Sequence, residues 1–95
     1  MDAESFVTSL DTDTPPKDIS VYLLALWYDA KEDWDQSHTT IQDVDTKNAA
    51  WIHAYLHRKE GDTFNADYWY RRAGKKRPDV TIKEEWNNLV TAMMD

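Results

Sequence analysis

The 95-residue chain contains no cysteine, which removes disulfides, thiolate nucleophiles and sulfur metal ligands together. Glycine occurs twice and proline three times, too rarely for a low-complexity or loop-dominated chain. No apolar run approaches the roughly 18 residues of a membrane span, and the leading MDAESFV is acidic where a secretory leader would be basic. A cytoplasmic protein without a membrane partner is therefore expected. Nothing reads as a strand. No nucleophile motif, phosphate-cradling glycine loop or paired-carboxylate signature is present, so no catalytic residue is assigned and no cofactor is expected.

What is there is a core-forming chain. Hydrophobic residues make up 41% and aromatics 13%, with five tryptophans and five tyrosines whose polar tips need partners when buried. A domain of this size buries about 60–65% of its unfolded surface. The net charge of −7 is unevenly spread. Residues 1–45 hold eleven acidic and two basic side chains, and residues 46–95 hold seven acidic and nine basic ones. The simplest account is mutual attraction between the halves. The alternative is a dipolar surface that steers a charged partner. Arg71, Arg72, Lys75, Lys76 and Arg77 form the only basic cluster, at a helix C-terminus where cations are favoured by the macrodipole. With the overall field repulsive to phosphate, nucleic acid is not an expected partner.

Helical spacing runs along most of the chain. Ile19, Leu23, Leu26/Trp27 and Ala30 define one helix, with Pro15-Pro16 suited to open it. Trp34, His38 and Ile41 define a second. A third, capped by Asp45 or Thr46, spans about Lys47 to Glu60 and stops at Gly61. Asp62 caps a fourth, which closes at Gly74 before Pro78. Thr81-x-x-Glu84 is a capping box opening a last helix with Ile82, Trp86, Leu89/Val90 and Met93 on one face. A short helix is also expected over Ala3 to Leu10. The fold class is all-α, in one domain.

Displacing the chain on itself by 29 residues sets Ala25 on Ala54, Tyr28 on His57, Asp33 on Asp62, Ser37 on Ala66 and Ile41 on Tyr70. Small residues fall on small ones and the turn aspartates coincide, the mark of a repeated helix-turn-helix unit. The segment from Ala50 to Pro78 resembles a tetratricopeptide (TPR) unit. Ala54, Ala66 and Ala73 stand at its small positions, Gly61-Asp62 at its turn, Tyr70 at its aromatic and Pro78 at its close. The earlier unit, about Asp18 to Val44, departs from that pattern, with Glu32 in the place of the turn glycine. The resemblance implies two TPR-like antiparallel hairpins, 18–44 and 46–78, after a lead segment 1–16 and before a capping helix 81–94. The run AYLHRKEGD followed by YWYRRAG also resembles the core of a group of small bacterial proteins. That likeness implies a bacterial cytosolic origin and brings no activity with it.

Two sets of residues are candidates for function. In a TPR-like pair Tyr22, Leu26, Asp29, Trp51, Tyr55 and Arg58 would line the concave face. Large rings beside an Arg and an Asp are the chemistry of a peptide-binding surface. The competing reading is that the last helix, through Trp86 and Met93, fills that groove. The second set is polar: His38, His53, His57, Glu60 and Asn65. His53 and His57 are four apart and share a helix face, a spacing that can hold a divalent ion with Glu60 or His38 as a third ligand. HAYLH lacks the glutamate that a zinc-protease helix carries beside its first histidine, so a structural cluster satisfied by Asn65, Asp67, Tyr68 and His38 takes precedence over metal. The expected function is a protein–protein or peptide interaction module, open to homodimerisation. The alternative is a small metal- or ligand-binding protein or enzyme centred on the histidines. An acidic nucleic-acid mimic using residues 29–45 ranks below both.

Overall fold

The structure, a computed structural model, describes residues 1–94. Each helix begins where a short polar side chain can accept from the first free backbone N–H groups. Asp2 caps α1 (Ala3–Thr8), which tightens into a 3-10 turn over Ser9–Asp11. Ser20 caps α2 (Val21–Ala30), Asp33 caps α3 (Trp34–Ile41) and Thr46 caps α4 (Lys47–Lys59). Asp62 caps α5 (Thr63–Arg72). Thr81 and Glu84 form the capping box of α6 (Ile82–Met93). Among the described residues there is no strand, and no helix is long and apolar enough to cross a membrane. The fold is all-α.

Helix α2 pairs with α3, and α4 with α5. The two turns follow one backbone plan. The Asp33 N–H donates to the Tyr28 carbonyl at 3.0 Å, and 29 residues later the Asp62 N–H donates to the His57 carbonyl at 2.9 Å. Both turns require one residue in the left-handed region. Gly61 supplies it at φ 90° without penalty, whereas Glu32 adopts it at φ 61° despite its Cβ. The small residues of the repeat, Ala25, Ser37, Ala54 and Ala66, are all fully buried. Ser37 also donates its hydroxyl to the Ala25 carbonyl at 2.6 Å, which ties α3 to α2.

Two features differ from the sequence expectations. Pro15-Pro16 do not open α2. Asp18, at φ 64°, turns the chain away from helix, and the Ser20 cap then sets the start. The lead segment is also part of the core. Phe6 is fully buried and its ring lies 6.2 Å from that of Trp86, while Trp27 Nε1 donates to Ser9 Oγ at 3.2 Å.

Helix α6 packs on α2 and α4, contributing Leu89, Val90 and Met93 to the cluster built from Phe6, Leu23, Leu26, Trp27, Ile52, Tyr55 and Leu56. It also carries a buried carboxylate. Glu85 is 1% exposed and accepts from the Tyr70 hydroxyl (2.6 Å), Arg58 Nη1 (2.8 Å) and Trp51 Nε1 (3.2 Å). Arg58 Nη2 donates to the Val80 carbonyl. The three donors on Glu85 fix α6 against α4 and α5, and the bond to Val80 ties down the segment that leads into α6.

Candidate metal centre

On α4 the i, i+4 spacing stacks His53 and His57 on one face, their ring centroids 4.8 Å apart. Helix α3 brings His38 across from them, so that His38 Nε2 lies 3.0 Å from His53 Nε2. The ring of His38 is 5.3 Å from that of His57. Nitrogens of all three imidazoles lie within 4.8 Å of one another. Two indoles wall the cluster. Trp69 of α5 stacks on His53 at 3.9 Å, and Trp34, one turn before His38, stacks on that ring at 4.8 Å. Trp34 is held in turn by Nε1 donating to the Leu56 carbonyl at 2.8 Å.

The fourth member orients a ring. Glu60, at the C-cap of α4, approaches His57 Nδ1 to 2.6 Å. A carboxylate only accepts, so Nδ1 is the donor of this bond, which leaves Nε2 as the nitrogen not engaged by Glu60. This carboxylate–imidazole pair is the outer-shell arrangement that orients metal-binding histidines. Burial holds the His53 imidazolium down to a pKa of about 3, helped by the two neighbouring rings. His38 is lowered as well, by burial first and then by His57, against the opposing pull of Glu60 and Asp35. Near neutral pH these two rings are uncharged, the state in which imidazole coordinates a metal.

The donor set fits an ion. Metal–imidazole bonds of about 2.0–2.1 Å in tetrahedral geometry separate ligand nitrogens by roughly 3.3 Å. The 3.0 Å between His38 and His53 is therefore a few tenths of an ångström short of that separation, and a nitrogen of His57 lies within 4.8 Å of both. His53 and His57 are buried, whereas His38 and Glu60 are partly open to solvent.

Other members of the expected polar set lie elsewhere. Asn65 donates its side-chain amide to Asp62 at 3.3 Å within the α5 cap, and no contact joins it to the imidazoles. Asp67 pairs with Arg77 at 3.1 Å, and the Tyr68 hydroxyl accepts from Arg72 at 3.1 Å. The imidazoles use one another and Glu60 instead. The stacking of Trp34 and Trp69 on the rings was not read from the sequence, although Trp34 at i−4 from His38 was a usable signal.

The six residues expected on a concave face lie against α6 or within the core. Leu26, Asp29 and Tyr55 are at most 1% exposed. Tyr55 donates to Asp29 Oδ2 at 2.6 Å, and burial together with that carboxylate pushes its hydroxyl pKa up. Trp51 and Arg58 are bonded to Glu85 as described. Tyr22 is half-buried, its hydroxyl 2.8 Å from Thr46 Oγ1. The chain's own last helix occupies the place where a peptide would lie.

Compared with known proteins, the chain matches no family model, no curated protein and no solved structure.

Proposed function

We propose that this chain binds a divalent transition-metal ion of the zinc class through His38, His53 and the Nε2 atom of His57, with Glu60 orienting His57 from the outer shell. The observation that carries the reading is the 3.0 Å approach of His38 Nε2 to His53 Nε2, with a third imidazole beside them and a carboxylate on its far nitrogen. Imidazole sets select zinc, copper, nickel or cobalt over magnesium and calcium, which prefer oxygen. Three protein ligands leave one coordination position for water or a small anion, the arrangement of Lewis-acid rather than purely structural sites. Elemental analysis after purification without chelator, followed by thermal shifts with added zinc, tests the proposal. A zinc-dependent rise in melting temperature that disappears in His53→Gln supports it. No bound metal and no shift would leave the histidines as a structural cluster.

The interaction-module reading moves to a different surface. Phe64 is 87% exposed and Tyr68, one turn on, is 42% exposed, so α5 presents two rings to solvent. Large exposed rings at adjacent turns are a feature of association surfaces. In this reading the TPR-like hairpins meet their partner, a protein or a second copy, on the outer face of α5. Loss of a dimer on Phe64→Ser in sedimentation would support self-association.

A further inference from the structure

A second site lies apart from the histidines. A cavity of about 460 Å³ opens where the lead segment, the end of α2, α4 and the start of α6 meet. Leu10, Ala30, Ile82 and Trp86 supply its apolar walls. The walls are fixed in place. Lys31 Nζ donates to the carbonyls of Leu10 (2.8 Å) and Thr12 (3.0 Å), and Trp86 Nε1 donates to the Leu26 carbonyl at 3.1 Å. An open, mainly apolar groove of this size with a few converging charges can seat a small molecule.

The charges define the occupant. Asp29, 1% exposed, accepts from Tyr55 on one oxygen and from Lys59 Nζ at 2.9 Å on the other. Glu32 stands 3.5 Å from the same ammonium, held there by a left-handed backbone that its side chain disfavours. One ammonium on an apolar stem thus sits between two carboxylates at the edge of the cavity. The negative charge is the buried one. The Lys59 side chain is 25% exposed, and Lys83, the other cation on the lining, is exposed. A ligand acid would place a second anion beside buried Asp29, whereas a ligand amine can take the position of the Lys59 ammonium, whose side chain already reaches solvent.

We infer that this cavity binds a small organic amine, a primary ammonium on an aromatic or branched aliphatic body, with the ammonium replacing that of Lys59 at Asp29 and the body against Trp86. Phenethylamine, 2-phenylethanol and 3-phenylpropionate are matched probes for the metal-free protein. Phenethylamine should shift the Trp86 indole resonance saturably, and the alcohol and acid should bind at least about tenfold more weakly because they lack the charge-assisted bond. Lys59→Met removes the competing ammonium and leaves Asp29 uncompensated. It should bind phenethylamine at least about threefold tighter, and its melting temperature should rise more with the amine than that of the parent protein. No Trp86 shift with phenethylamine, equal binding of the acid, or weaker binding by Lys59→Met would each overturn the assignment. Should Lys59→Met fail to fold, Ala30→Leu narrows the cavity at its wall. It should abolish the Trp86 shift, and unchanged binding in that variant would contradict the site. None of these readouts depends on the imidazole cluster binding metal.

Discussion

Asp29 and Glu85 are the two fully buried carboxylates among the described residues, and each is matched by donors from distant parts of the chain. Tyr70, Arg58 and Trp51 converge on Glu85 from two other helices. Removing the carboxylate would leave a half-buried guanidinium and a buried hydroxyl without partners. Glu85→Ala should therefore lower stability by about 3–5 kcal/mol, measured by urea unfolding. A loss under 1 kcal/mol would mean that water replaces the network and that α6 is not anchored by it. His53 makes a pH prediction for the metal-free protein. Its folded pKa is held to about 3 against 6.5 in the unfolded chain, so unfolded molecules bind more protons between those values. The stabilising contribution is complete above pH 6.5 and is lost as the pH falls. Over the first 1.5 pH units below that point the loss should be about 2 kcal/mol. His53→Gln should flatten the slope. A parent protein equally stable at pH 7 and pH 5 would contradict the burial of a neutral ring.

At the scale of helices and turns, the boundaries were legible because capping is local. Thr46, Asp62, Thr81 with Glu84, and Gly61 each act within four residues of their own position, and each starts or stops a helix where its chemistry predicts. The repeat was legible for a related reason: Ala54 and Ala66 must be small for α4 and α5 to touch. Enlarging either to Leu should overpack the crossing by about 1–3 kcal/mol, read as a fall in melting temperature. Unchanged melting in both variants would mean that the crossing lies elsewhere. The paired turns make an asymmetric prediction. Space for a Cβ is open at Gly61, so Gly61→Ala meets only the backbone penalty, about 1 kcal/mol of destabilisation. Glu32→Gly relieves that same penalty and removes only a solvent-exposed ion pair, so stability should hold or rise by up to about 1 kcal/mol. Denaturant midpoints of the two variants moving the same way would show that the turns are not equivalent.

For the molecule as a whole, what the sequence could not convey was which elements meet. Phe6 reads as one apolar residue in an acidic lead, and only the assembled fold shows it under Trp86. The face carrying Trp51, Tyr55 and Arg58 reads equally well as a groove or as a seat for α6. What decides is Glu85, 27 residues from Arg58, whose burial has no local signature. The histidines were legible as a shared face of α4. The 3.0 Å approach of His38 and the indole walls depend on how α3 and α5 pack against that face. The proposal that this packing forms a metal centre meets its sharpest test in calorimetric titration of the metal-stripped protein with zinc at pH 7.5. The parent protein should bind one ion per chain, Glu60→Gln should bind roughly 10–100-fold more weakly through loss of the outer-shell carboxylate, and His38→Ala and His53→Ala should show no saturable binding. Full-affinity binding in both histidine variants, or no saturable heat in the parent protein, would contradict it.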